Sequence, residues 1–147
     1  MNQVMSRIKL NEQYSYEFKY TLTVQAHHLN YAGHLGHSAI IDMVWEARSN
    51  MFRGLGVSEG DLGDGKTGII MGDLVVNFKS EAFIFDKLVI ESHVNDFHKS
   101  SFRIFHRITK GKNLVALVET GFITFNYSLG KIVQAPQSFM AVLEKYI

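Results

Sequence analysis

The sequence predicts an α+β fold in which an antiparallel sheet of five or so strands wraps around one long helix. Three observations carry that prediction. From Tyr14 to Val24 apolar and polar residues alternate without a break, as in a strand with one buried face. From about Ser38 to Arg53 the apolar residues Ile40, Ile41, Val44, Ala47, Met51 and Phe52 recur at helical spacing. After the helix come four strand-like segments in a meander. A lone helix of this length needs one broad sheet face to cover its apolar stripe.

Taken in order, the first strand presents Tyr14, Tyr16, Phe18, Tyr20, Leu22 and Val24 on one face and Ser15, Glu17, Lys19, Thr21 and Thr23 on the other. A turn-like stretch, His27 to Gly36, leads into the helix, which Gly54 and Gly56 bring to a stop. A charged, glycine-bearing loop covers Ser58 to Lys66. The later strands are predicted at Thr67–Lys79, Asp86–Asn95, Ser101–Lys110 and Asn113–Tyr127. Lys110-Gly111-Lys112-Asn113 reads as the hairpin turn between the last two. In the Ser101–Lys110 strand Phe105 interrupts the polar side, which predicts two partly apolar faces. Gln137 to Tyr146 reads as a short closing helix.

Composition narrows the function. The chain has 147 residues, enough for one continuous core, and neither repeat nor linker divides it, so a single domain over residues 1–147 is expected. Fifteen basic and fourteen acidic residues are interspersed, with no basic run to bind nucleic acid. With no cysteine, disulfides, thiolate nucleophiles and cysteine zinc sites are excluded together. The opening MNQVMSRIKLNEQYS lacks the apolar core of a secretory signal, and no stretch has the roughly 18 apolar residues of a membrane span. A cytoplasmic protein without a membrane partner is the expectation.

The segment with chemical promise is Asn30-Tyr-Ala-Gly33-His34-Leu-Gly36-His37-Ser38. A glycine-bearing turn that delivers the chain into a helix leaves the first backbone N–H groups unpaired. Those donors and the positive end of the helix dipole suit a developing oxyanion, the species that acyl transfer must stabilise. Histidines 27, 28, 34 and 37 crowd the same loop, but they lack a ligand pair joined to a carboxylate, and no metal site is expected.

The run from Val24 through Trp45-Glu46-Ala47-Arg48 resembles the first strand, loop and central helix of the 4-hydroxybenzoyl-CoA thioesterase family of hotdog proteins. Gly33-His34-Leu35 and Glu46-Ala47-Arg48 fall at matching spacing. Leu74 to Ala82, Asp86 to Ile90 and His98 to Phe102 resemble its later strands and turns, so the likeness extends from about Tyr14 to Pro136. Asn30 stands where that branch carries its catalytic aspartate, and asparagine is neither base nor nucleophile at neutral pH. A second branch, similar to phenylacetyl-CoA and human-type acyl-CoA thioesterases, has an asparagine in this loop, a glycine three residues on, and a carboxylate on the central helix instead. Counting from Asn30 without gaps puts Trp45 at that carboxylate position. Counting from the loop histidine puts Glu46 there, with Asp42 one turn earlier as a spare.

The resemblance implies hydrolysis of an acyl-CoA thioester with no bound cofactor, coenzyme A being part of the substrate. The expected catalytic set is Asn30, His37 through its backbone N–H, and Glu46. Gly33, Gly36, Asn50, Lys79 and Lys99 are expected to contact substrate, the lysines at the phosphates, and the aromatic face of the first strand together with Phe78, Phe83 and Phe85 is the candidate lining of an acyl pocket. His37 and Glu46 lie nine residues apart, about 13.5 Å along a helix. A site using both therefore predicts two chains side by side, a homodimer or a dimer of dimers. Two other functions fit the same fold: an acyl-CoA sensor without turnover, and an enoyl-CoA hydratase or dehydratase using His34 or His37 with Glu46.

Overall fold

The computed structural model describes residues 7–147. Its elements are β1 (Phe18–Thr23), α1 (His37–Gly54), β2 (Thr67–Phe78), β3 (Lys87–His98), β4 (Ser101–Lys110), β5 (Asn113–Asn126), β6 (Lys131–Ile132) and α2 (Gln137–Glu144). The strands form one six-stranded antiparallel sheet in the order β1-β3-β4-β5-β2, with β6 joined to β5. The long helix lies across its inner face. This is the hotdog arrangement expected from the sequence, with β1 and β2 as the outer strands of the path.

Helical spacing selects the buried stripe of α1: Ala39, Ile40, Met43, Val44, Ala47, Arg48, Met51 and Phe52. Ile41 is not part of it. Each residue turns 100° about a helix of 3.6 residues per turn, so Ile41 swings off the stripe, remains 37% exposed, and Met43 fills the interior instead. The first half of the helix packs on Leu88, Ile90, Ile108, Val115, Ala116 and Val118. The second half packs on Val94, Phe102, Ile104 and Phe122, with Phe139 and Leu143 of α2 sealing that end.

β1 is shorter than its alternation predicts. Sheet pairing begins at Phe18, opposite Ser92. Residues 8–17 instead cross the outer face of the sheet, where Asn77 of β2 binds the backbone of Ile8 and Leu10. Arg107 of β4 lies over the Tyr16 ring at 4.4 Å, and Glu17 meets His93 at 2.7 Å. Alternation persists through Tyr14 and Tyr16, but this crossing replaces the strand. It also accounts for the two partly apolar faces of β4: Phe102, Ile104, His106 and Ile108 face the helix, while Arg103, Phe105 and Arg107 are only half-buried beneath the crossing segment.

Among the buried polar residues, Arg48 and His106 are the titratable ones. Arg48 is 5% exposed, stacks over Phe122 at 4.9 Å and pairs with Glu59. His106 sits between Ile104 and Ile108 on β4, its Nδ1 bonded to the Ser92 hydroxyl at 2.8 Å while its Nε2 has no partner. Burial, followed by repulsion from Arg48, pushes the His106 pKa down to about 3. The unfolded chain therefore takes up a proton that the folded one refuses. The stability contributed by neutral His106 is whole above pH ~6.5 and falls as the pH drops from there toward 3, by about 1.4 kcal/mol per pH unit at most. Thermal unfolding across pH 3–8 is expected to show this slope in the wild type and a flatter one in H106L. Equal slopes would mean that His106 is not the group being protonated.

Candidate active site

The loop that carries the chain from β1 to α1 is closed by its own backbone. A single 3-10 turn, Ala26–His28, follows the strand, and the His28 Nδ1 accepts the Gln25 N–H at 2.8 Å. Asn30 donates its N–H to the His34 carbonyl at 2.7 Å and accepts from Gly33 at 3.1 Å. Gly33 has φ +79°, a conformation that costs a side chain energy but not glycine. The Asn30 Oδ1 accepts the N–H groups of Ala32 at 3.0 Å and His34 at 3.2 Å. That oxygen is committed to the turn, so the side chain's remaining polar group is the Nδ2 donor.

Gly36 then starts the helix in extended conformation and offers no side chain as a cap. Its N–H is held by the His28 carbonyl at 2.9 Å. A Cβ at Gly36 would lie 3.6 Å from that of Asn30, so the helix start is packed directly against the asparagine. The N–H groups of His37, Ser38 and Ala39 fall in the first turn, where a helix supplies no acceptor. No acidic residue stands in that turn to compensate them.

These amides open into a cavity of about 450 Å³ whose polar lining includes His28, Asn30, His37, Asp42 and Glu46, with Leu22 and Met43 on its apolar wall. Asp42 and Glu46 are one helical turn apart on the flank of α1 that faces β1. Glu46 lies beside Tyr20 of β1, whose pKa is raised first by hydrogen bonding to that carboxylate and then by burial. The His28 pKa is lowered, chiefly by burial and next by His27, against the opposing pull of Glu46 and Asp42. Neutral His28, with Nδ1 already accepting, carries its proton on Nε2 and serves as a donor rather than a base.

A family model described as the thioesterase-like superfamily matches residues 24–143. The chain belongs to that superfamily. No curated protein sequence matches it. Among solved structures, it is similar to a 1,4-dihydroxy-2-naphthoyl-CoA thioesterase from Synechocystis at TM-score 0.77 and 17% identity, covering 86% of this chain and 94% of that one. A hypothetical protein from Staphylococcus aureus, solved in complex with CoA, aligns at TM-score 0.80 and 16% identity over 88% of this chain and 82% of that one. A gentisyl-coenzyme A thioesterase aligns at TM-score 0.74 and 19% identity over 84% and 98%. At these identities the structures share the fold.

In this thioesterase-like chain Asn30, Gly36, His37 and Glu46 line one cavity, and Asp42 joins them. His37 and Glu46 line the same cavity although nine residues separate them along α1. Gly33 shapes the turn without lining the cavity. Asn50 bonds the Glu46 backbone carbonyl at 2.9 Å, rather than its carboxylate, and faces a separate pocket farther along α1. Lys79 lines a smaller cavity of about 260 Å³ that also touches Asn30 and His34. Lys99 is at the other end of the sheet. Phe78 pairs with Ala116 and Ser101 with Ile123, which separates the two lysines' ends of the sheet by about 24 Å at 3.4 Å per residue. Trp45 points to the opposite flank from Glu46 and donates to Glu59 at 3.1 Å.

His28 is a polar lining group that sequence reading did not assign to the site. The histidine crowd around the loop was the sequence signal for His28. Among the described residues, no three His, Asp or Glu side chains converge to hold a metal ion. In urea unfolding, N30A is expected to lose about 1 kcal/mol with the two turn bonds, whereas N30D, which preserves both acceptors, keeps most of that stability. Equal stabilities for N30A and wild type would show that the turn does not depend on Asn30.

Proposed function

We propose that the protein hydrolyses an acyl-CoA thioester in the cavity at the start of α1. The observation that carries this reading is the uncapped first turn, whose residues His37, Ser38 and Ala39 line a cavity together with two carboxylates. The thioester carbonyl oxygen sits against the His37–Ala39 amides, assisted by the Asn30 Nδ2. Water attacks the carbonyl carbon, and the negative charge gathers on that oxygen, where the fixed donors are strongest. A helix carboxylate takes the water's proton and returns it to the departing sulfur, so acid and thiol leave as products. Lys79, which lines the neighbouring cavity, meets the coenzyme A phosphates in this reading.

Asp42 is the better placed of the two carboxylates. It lies three residues beyond Ala39, about 4.5 Å along the axis, whereas Glu46 lies about 10.5 Å beyond. General-base transfer needs contact of about 3 Å, directly or through one water. Asp42 therefore takes the proton-transfer role, and Glu46, the residue favoured by sequence spacing, lines the groove farther in.

A second copy of the chain completes the assembly in this reading. β2 is an outer strand of the sheet, with Ile70 39% and Met71 40% exposed, and Ile41 and Trp45 lie on the same side of the molecule. An uncovered apolar strand edge favours pairing with another. Docking along β2 leaves Glu46 on the flank away from the partner, so each chain works with its own carboxylates. I70K/M71K is expected to sediment as a monomer while the wild type sediments as a dimer or dimer of dimers. Identical sedimentation of the two would remove β2 as the contact.

Thiol release from short, long and aromatic acyl-CoAs tests the hydrolase reading. Wild type is expected to release thiol from some of the panel. D42N is expected to lower kcat by roughly 100-fold or more, and E46Q to alter it by less than about tenfold on a short substrate. Absence of thiol release across the panel, with ligand still bound, would favour an acyl-CoA sensor, to which the aspartate-lacking loop at Asn30 also lends itself. Full turnover by D42N would remove Asp42 from the chemistry.

A further inference from the structure

The turn between β2 and β3 carries three consecutive apolar residues at the surface. Phe83 is 43%, Ile84 37% and Phe85 68% exposed, while Ala82 before them is buried. An exposed apolar run of this kind lowers solubility and calls for a function. The fold holds it firmly in place. The Phe83 N–H donates to the Asp86 carboxylate at 2.8 Å, and the Phe85 N–H donates to the Val24 carbonyl at 2.8 Å. Phe85 has φ +70°, and among the described residues the other non-glycine with positive φ is Asp96. Aspartate tolerates that region, whereas a bulky side chain there crowds its own backbone. An exposed aromatic residue is thus kept on strained backbone where glycine would fit without strain.

Lysines surround this tip. Lys110 lies over the Phe83 ring at 5.5 Å and pairs with Asp86 at 3.1 Å. Lys87 opens β3 directly after the turn. The register that pairs Val89 with Thr109 brings it beside the β4–β5 turn, which carries the exposed Lys112. Lys79 follows β2 next to Val115, whose carbonyl accepts its N–H at 2.8 Å. Against these stand Asp86 and Glu81, the latter 3.4 Å from His34, so the surround is net positive. We propose that the Phe83–Phe85 turn docks the protein on an anionic lipid bilayer, its apolar side chains entering the interface while Lys87 and Lys112 meet the headgroup phosphates. Aromatic residues settle at headgroup level, and each basic residue near a negative surface adds attraction. A second copy suits the turn less well, since a two-fold contact would set its lysines against the same lysines of the other chain. Surface docking requires no spanning helix, and among the described residues none is long and apolar enough to cross a membrane. The sequence-based expectation of no membrane partner rested on spanning segments alone. His34 meets Phe83 edge-on at 5.4 Å, so docking holds the helix-start loop close to the bilayer.

Flotation of the full chain with extruded vesicles tests the docking. Wild type is expected to bind phosphatidylcholine vesicles containing about 30% phosphatidylglycerol at least about tenfold more tightly than phosphatidylcholine alone. That preference is expected to vanish in about 0.5 M salt, which screens exposed charges. I84S/F85G is expected to weaken binding to the anionic vesicles about tenfold or more. It is also expected to melt no lower than wild type, because glycine accepts φ +70° without strain. K87Q/K112Q leaves the apolar tip intact and is expected to weaken the same binding about tenfold or more, each lysine contributing about fivefold. Wild type that floats with neither lipid mixture overturns the docking, and so does binding that I84S/F85G leaves unchanged. Weakening by K87Q/K112Q alone also overturns it and assigns the lysines to an acidic protein surface. A smaller oligomer for I84S/F85G in sedimentation, with no vesicle binding by wild type, overturns it in favour of a contact between copies. Thiol release enters none of these readouts, so the hydrolase reading is tested separately.

Discussion

The packing of Gly36 against Asn30 and His28 is the constraint on which the site depends. It brings the chain into α1 with extended backbone and no capping side chain, so the amides of His37, Ser38 and Ala39 stay free of protein acceptors. A serine or aspartate at position 36 would be expected to satisfy one of them and stabilise the helix by about 1 kcal/mol. The chain forgoes that stabilisation at the helix end whose residues line the cavity shared with Asn30, Asp42 and Glu46. The turn below is in turn fixed by the Asn30 Oδ1, which ties the loop's shape to the same residue that offers Nδ2 to a ligand.

Around this point the two flanks of the helix differ in the side chains they carry. The flank facing β2 carries Ile41 and Trp45 and the buried Arg48–Glu59 pair. The flank facing β1 carries Asp42 and Glu46 and follows a groove that the half-buried face of β1 does not fill. One residue of rotation separates the two, which is why the distinction between Trp45 and Glu46 matters so much.

Much of the fold was legible because its signals are local. Alternation marked the inner face of β1, spacing marked α1, and the glycine-bearing turn marked the β4–β5 hairpin. What escaped depended on distant partners. Tyr14 and Tyr16 alternate like a strand, yet Arg107 and Asn77 hold that segment across the sheet. Arg48 reads as a surface charge until Glu59, eleven residues on in an irregular loop, supplies its partner. The same limit applied to the site. The loop residues Asn30, Gly36 and His37 could be grouped from the sequence because a turn into a helix is a contiguous feature, whereas Asp42, which lines the same cavity, stood only as a spare. Which carboxylate faces the loop depends on the helix's rotation over the sheet, and the Tyr20–Glu46 contact joins residues that no periodicity relates.

The most direct measurement follows the backbone amides themselves. A ¹⁵N-labelled protein is titrated with a trifluoromethyl-ketone analogue of an acyl-CoA, whose hydrated or ionised carbonyl mimics the tetrahedral intermediate. If the first turn of α1 holds the oxyanion, the His37, Ser38 and Ala39 amide protons move strongly downfield together on binding. If the analogue binds and those three resonances stay in place while amides elsewhere shift, the carbonyl is held at another site and the uncapped helix start has no part in the chemistry.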